Sequence, residues 1–264
     1  MQIAKRILIG LLIVVAALVL FLVGSVAADA LLGGDRVAAL TNTAIPNAAG
    51  QPVAVYVAKP AGEGSFPAVI MLHEFWGLKP EITEKADALA AEGYIVVAPD
   101  MYRSQTTTWL PRAIYLALTV PESQVLDDLD LVFDWLEDQP DVDADRIVVM
   151  GFCYGGGKAL QYSLRNADLA GTGVFYGALE SDPTLLRQLP GPVLGIFGAE
   201  DRAPSPAQVE QFSAGLEAAG IEHEITIYDG VGHAFVTDMA AIRRGGAPGA
   251  AWSQFVNWLG RVVG

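Results

Sequence analysis

The chain has 264 residues, 52% of them hydrophobic, and its 16 basic and 30 acidic residues leave a formal net charge of −14. That balance disfavours nucleic acid and anionic headgroups as partners. A single cysteine excludes an internal disulfide. A globular part of about 230 residues buries enough core to need neither a disulfide nor a metal to hold it, and nothing in the sequence calls for a cofactor.

Lys5 and Arg6 precede an uncharged run from Ile7 to Ala28. As a helix that run reaches about 33 Å, enough for a bilayer core of about 30 Å. Its strongly apolar part, Ile7 to Val23, exceeds the about 7–15 residues of a signal-peptide core. Small residues at Val26-Ala27-Ala28 and Ala28-Asp29-Ala30 keep cleavage open as the alternative. Residues 1–30 therefore read first as an uncleaved transmembrane anchor and second as a signal segment. Positive charge before the run and none just after it predicts a cytoplasmic N-terminus and an extracytoplasmic domain, which would be secreted if the segment is cleaved.

Residues 31–49 read as a linker and edge element, and 50–264 as one α/β domain. Short β-branched runs predict strands at Val53–Val57, Ala68–Leu72, Ile95–Ala98, Ile147–Met150, Gly173–Tyr176, Val193–Phe197 and Glu224–Tyr228. Several are continuously apolar, as strands covered on both faces must be. Between them, helical patterns occupy Ile82–Ala91, Gln124–Glu137, Gly156–Arg165, Pro206–Ala219 and Ala250–Val262. This alternation predicts a doubly wound, mostly parallel sheet with helices on both faces. Nine acids between Asp127 and Asp145, with no Lys or Arg among them, read as a solvated helix face and loop. Residues 103–123 fit neither pattern and are expected to form a loop with a short helix over the site.

In such a sheet, reactive groups collect at the carboxyl ends of the strands. Gly151-Phe152-Cys153-Tyr154-Gly155 follows one predicted strand and opens a helix. This is the nucleophile elbow of α/β-hydrolases with Cys in place of Ser. The plainer alternative is a buried cysteine beside packing glycines. Asp201 follows the Val193–Phe197 strand, where a triad acid belongs, although a turn aspartate is the commoner reading of such a position. His233, between Gly232 and Ala234, lies beyond the last strand. The order Cys153, Asp201, His233 is that of the hydrolase triad. After the Ala68–Leu72 strand comes His73-Glu74-Phe75-Trp76-Gly77, in the loop that supplies one oxyanion donor. The donors are then the N–H groups of Phe75 and Tyr154. Glu74 either takes the thiol proton or raises the thiol pKa, unless it pairs with a cation and braces its loop.

These segments, together with Pro99-Asp100-Met101-Tyr102, Phe175-Tyr176-Gly177 and Gly232-His233-Ala234-Phe235, resemble the dienelactone hydrolase family over roughly residues 50 to 262. The resemblance implies an α/β-hydrolase fold and a Cys153–His233–Asp201 triad, acting on small carboxylic esters or lactones through an acyl-thioester. It also implies that Glu74 takes the thiol proton when substrate binds. Trp76, Tyr102, Arg112, Tyr176 and Phe235 are the expected substrate contacts. Family members that cleave dienelactone follow the catalytic histidine with serine and, four residues on, arginine; here those positions are Ala234 and Thr237. Loss of a charge-assisted contact of about 1.5–3 kcal/mol puts a neutral ester or lactone at least level with dienelactone as the expected substrate. Acyl transfer, or a tethered domain that binds without turnover, are the competing readings.

Overall fold

The computed structural model describes residues 2–47 and 50–264. In chain order the elements are α1 (Gln2–Ala38), β1 (Thr43–Ile45), β2 (Val53–Ala58), β3 (Phe66–Leu72), α2 (Pro80–Ala91), β4 (Ile95–Pro99), α3 (Leu110–Thr119), α4 (Glu122–Glu137) and β5 (Val142–Phe152). Then come α5 (Tyr154–Ser163), β6 (Gly171–Phe175), α6 (Pro183–Leu186), β7 (Val193–Gly198), α7 (Pro206–Ala219), β8 (His223–Tyr228), α8 (Met239–Arg244) and α9 (Gly246–Val262).

The eight strands form one sheet in the order β1-β2-β4-β3-β5-β6-β7-β8. β1 and β2 run antiparallel to their neighbours, and β4, β3, β5, β6, β7 and β8 pair in parallel. The period-2 geometry of a strand sends alternate side chains to opposite faces. On β3, Val69 and Met71 enter one core while Ala68, Ile70 and Leu72 enter the other; on β5, Val148 and Met150 oppose Ile147 and Val149. The first core is closed by residues of α2, α7, α8 and α9, and the second by residues of α4 and α5. Both faces of the central strands are therefore buried, which explains their unbroken apolar sequence.

The chain leaves β3 to build β4 on one side and β5 on the other. This is the switch point at which an open parallel sheet leaves a crevice beyond its strand ends. Glu74 follows β3 and Cys153 follows β5, so both belong to that crevice.

Several bounds differ from the sequence expectation. α1 continues to Ala38, into the predicted linker. An Asp29–Arg36 pair at 3.4 Å spans two of its turns, and no proline interrupts the chain before Pro46. Ala48 and Ala49 of that stretch lie outside the described residues. The 103–123 segment contains all of α3 and the start of α4, and the short α6 and α8 have no counterpart in the sequence reading.

The elbow's tightness is measurable at two glycines. A Cβ at Gly151 would lie 2.3 Å from the Gly155 carbonyl carbon, and one at Gly155 would lie 2.5 Å from the Leu72 carbonyl oxygen. Backbone cannot withdraw as a flexible side chain can. Gly155→Ala is therefore expected to destabilise the domain by about 3 kcal/mol or more, the upper end for overpacking. Gly50→Ala, with no atom within 4 Å of the new Cβ, should be near neutral. Urea midpoints followed by tryptophan fluorescence would check both, and equal midpoints would contradict this account.

Candidate active site

Cys153 occupies the turn between β5 and α5 with φ of 53° and ψ of −114°, a conformation that β-carbon-bearing residues rarely adopt. Its own N–H donates to the Phe175 carbonyl at 2.9 Å, which fixes the turn against the end of β6. The side chain is left half-buried at the floor of a cleft. Backbone strain of this kind persists only where surrounding contacts hold it, and it clusters at functional sites.

Three loops deliver the partners. Asp201 follows β7 and is buried, and its Oδ2 lies 2.7 Å from His233 Nδ1. Its other oxygen accepts the Ala203 N–H at 2.9 Å, so the carboxylate cannot rotate freely. His233 follows β8, and its Nε2 lies 3.0 Å from Cys153 Sγ. The sulfur, imidazole and carboxylate thus form one hydrogen-bonded chain. Glu200, the neighbouring acid, is exposed.

The loop after β3 is held by His73, which is fully buried. Its Nδ1 lies 2.7 Å from the Glu74 carbonyl, and its Nε2 accepts the Met101 N–H at 3.1 Å. Burial pushes His73 down to about 4, so the ring is neutral with its proton on Nδ1. The Phe75 N–H is thereby aimed at the Cys153 sulfur, as is the Tyr154 N–H at the start of α5.

Glu74 is the neighbouring negative charge. Burial pushes the Cys153 thiol up to about 11 and the Glu74 carboxylate adds to the rise, against the pull of the two amides. The helix terminus behind the cysteine is therefore outweighed, and the thiol is protonated at neutral pH. Burial also raises Glu74 itself, opposed first by Lys85, then by Lys79 and His233.

Lys85 has no counterpart in the sequence reading of the site. It is 1% exposed and donates to the Thr237 carbonyl at 2.6 Å and the Glu81 carbonyl at 3.3 Å. It also sits 5.0 Å from the centre of the Phe152 ring. Burial lowers it to about 8 despite the acids around it, Glu74 first among them. It lies three residues after Ile82 and four before Leu89, on the apolar stripe of α2. A lysine on such a stripe is the signal that could have found it.

The cleft above Cys153 has a volume of about 560 Å³ and is lined by Tyr154, Lys158, Gln161, Tyr176, Pro204, Gln208, Gln211 and His233, among others. Of the five expected substrate contacts, Tyr176 joins it, with its ring centre 5.2 Å from that of His233. Trp76 instead lines a second hollow of about 250 Å³ with Glu74, Lys85 and Thr237. Phe235 packs behind Tyr176 at 5.8 Å. Tyr102 is buried between His73 and Tyr154, at ring distances of 5.1 and 5.6 Å. Arg112 is buried and turned away from the cleft. It lies 3.4 Å from Asp29 and donates to the Val26 carbonyl at 3.1 Å and to Gln105 at 2.5 Å. Tyr102 and Arg112 therefore support the surroundings and do not line the cleft.

The sequence model of the dienelactone hydrolase family matches residues 53–263. A Salmonella typhimurium (strain LT2) protein named "Putative carboxymethylenebutenolidase" is 31% identical over 236 residues, covering 84% of this chain and 87% of that protein. A Bradyrhizobium protein named "Probable 2-oxo-3-(5-oxofuran-2-ylidene)propanoate lactonase" is 29% identical over 223 residues, covering 80% and 90%. A crystal structure from Klebsiella pneumoniae titled "Putative Dienelactone Hydrolase" superposes with a TM-score of 0.73 at 30% identity, covering 83% of this chain and 96% of that one.

The electrostatics predict how the thiol reacts. With its pKa near 11, alkylation of Cys153 by iodoacetamide should quicken about tenfold per pH unit from neutrality upward, with no plateau below pH 9. Glu74→Gln removes the like charge, so the thiol pKa falls and alkylation at pH 8 becomes severalfold faster. Stopped-flow or mass-spectrometric rates would show it. A plateau by pH 7, or a slower Glu74→Gln variant, would mean the carboxylate does not hold the thiol protonated.

Proposed function

The chain belongs to the dienelactone hydrolase family and is a hydrolase of lactones or carboxylic esters, and we propose that it works by covalent catalysis through Cys153, His233 and Asp201. The observation that supports this most is the unbroken contact chain Asp201–His233–Cys153, at 2.7 and 3.0 Å, on the floor of a cleft.

Substrate places its carbonyl oxygen between the N–H groups of Phe75 and Tyr154, which now point at the sulfur. The thiol gives its proton to its hydrogen-bond partner His233 Nε2, and not to Glu74 as the resemblance implies, and the sulfur adds to the carbonyl carbon. The two amides bind the resulting oxyanion. Collapse breaks the carbon–oxygen bond, and the leaving alkoxide takes the proton from His233. For a lactone, that alcohol stays attached to the acyl-enzyme. His233 then deprotonates a water that attacks the thioester, and the proton returns to the thiolate. Asp201 holds the imidazole tautomer and stabilises the imidazolium.

Glu74 has a differential effect in this scheme. Its charge disfavours a free thiolate but favours an imidazolium. Loss of the proton to solvent is therefore penalised, while transfer within the Cys153–His233 pair is largely spared. The thiol stays protonated until a carbonyl is in place, and a protonated thiol oxidises slowly.

The substrate is read as a neutral ester or lactone. Among the described residues the cation lining the cleft is Lys158, and it is bridged to Glu122 at 2.8 Å. Among the described residues no arginine lines the cleft, and Ala234 and Thr237 stand where carboxylate-reading side chains would be expected.

The same reading makes α1 an uncleaved anchor, with the catalytic domain outside the cytoplasm. Its support is a helix long and apolar enough to cross a membrane, none of whose apolar stretch is buried among the described residues, with Lys5 and Arg6 ahead of that stretch.

Cys153→Ala is expected to lower kcat/KM for p-nitrophenyl acetate by about a thousandfold or more, and Cys153→Ser to leave weak activity. Full turnover by the alanine variant would end the thiol mechanism. In a matched panel, neutral lactones should be cleaved at least as well as carboxylate-bearing ones. A clear preference for the anions would refute the substrate reading and leave the nucleophile untouched.

A further inference from the structure

Outside α1, the large hydrophobic side chains that remain exposed are concentrated on one ten-residue element. Trp109, Leu110, Ile114, Tyr115 and Leu118 all belong to α3 or its first flanking residue, and Leu185 is the one other among the described residues. Leu110, Ile114 and Leu118 recur every four residues and so form a single stripe. Leu118 at its end is 79% exposed. The opposite side of the helix buries Arg112, Ala113 and Leu116. Arg112 is the helix's one charged residue, so the exposed stripe carries no charge at all, on a chain with a net charge of −14.

α3 is fastened to the end of the apolar run. Trp109 Nε1 donates to Ser25 Oγ at 3.2 Å, and Arg112 reaches the Val26 carbonyl at 3.1 Å and Asp29 at 3.4 Å. Ser25 to Asp29 close the uncharged run that begins at Ile7, so where α1 crosses a bilayer they lie at its surface. The start of α3 is held at that level. Tryptophan and tyrosine beside an aliphatic stripe suit the boundary between headgroups and acyl chains. The absence of lysine or arginine on the stripe suits a zwitterionic surface and not an anionic one.

We infer that α3 is a second membrane contact: its Leu110–Ile114–Leu118 stripe lies in the outer face of the same bilayer that α1 spans. The inference rests on the reading of α1 as an uncleaved anchor. It gives the domain a fixed orientation, because a helix seated in the interface beside the span stops rotation about a single tether. It also couples the surface to the site. Thr106 Oγ1 and the Thr107 N–H, just before α3, both donate to the Trp76 carbonyl, at 3.0 and 2.9 Å, in the loop that carries Phe75. Beyond α3, Glu122 bridges to Lys158 on the rim of the cleft.

The test uses the full chain in a Cys153→Ser background, reconstituted into phosphatidylcholine vesicles. An environment-sensitive fluorophore is placed at Leu118→Cys, and in a second protein at Glu210→Cys, on α7 near the β8 end of the sheet. The label at 118 is expected to emit to the blue of that at 210. It should be quenched severalfold more by nitroxide-bearing lipids and less by aqueous iodide. A label at 118 as solvent-accessible as that at 210 would overturn the membrane contact. A blue shift without lipid quenching would overturn it too, in favour of a protein partner or a second copy. Flotation separates the two claims. Protein that fails to float with the vesicles refutes the anchor and with it this contact, whereas protein that floats with position 118 exposed to water refutes this contact alone.

Discussion

The arrangement depends on how closely the β5–α5 turn approaches the end of β3. A Cβ at Gly155 would come within 2.5 Å of the Leu72 carbonyl, so backbone meets backbone there with no side chain between. That approach puts the residue after β5 and the residues after β3 into the same small volume. Cys153 and Glu74 are far apart in sequence, yet they share one electrostatic environment because of it. The same approach lets the Phe75 and Tyr154 amides converge on one point. A looser elbow would leave the thiol exposed and the two donors divergent, whatever the identity of the nucleophile.

The consequence is a thiol whose ionisation is governed by its surroundings in two opposing ways. Two amides and a helix terminus favour the thiolate; burial and Glu74 oppose it, and the opposition wins, placing the group near 11. Burial pushes Glu74 up, against the pull of the cations around it. Lys85, inserted from α2 and itself pushed down to about 8 by burial, is its principal counter-charge. Because Lys85 also holds the Thr237 carbonyl, four residues past His233, one buried cation steadies the carboxylate and the histidine loop together. A buried charge with partners on two elements costs more to disturb than either contact alone suggests.

Much of this was legible in the sequence, for identifiable reasons. α7 has the bounds that its helical pattern predicts, and the structure shows what makes them sharp: a capping box of Ser205 and Gln208 at one end and a left-handed Gly220 at the other. The central strands were legible because burial on both faces leaves an unbroken apolar run. The positions of Cys153, Asp201 and His233 followed from their places after strands, which topology alone determines. What failed was side-chain direction. Arg112 and Tyr102 lie on the expected segments but point away from the cleft, and no spacing rule states which way an irregular loop turns its residues. α3 escaped assignment because its faces are reversed: charged Arg112 lies on the buried side, and Leu110, Ile114 and Leu118 lie on the exposed side where polar residues would be expected.

That reversal is itself informative once the fold is known. A helix ordinarily turns its apolar stripe inward, and α3 leaves Leu110, Ile114 and Leu118 exposed. Arg112 shows that its position is no accident of packing. An arginine 3% exposed is costly unless paired, and its partners are Asp29 and Val26 of α1 and Gln105 of the adjoining loop. The end of α1 is thus built into the catalytic domain by a buried ion pair. On the proposed topology, a membrane span and a domain joined in that way behave as one body at the bilayer surface, and the geometry of the cleft relative to the lipid becomes a property of the fold.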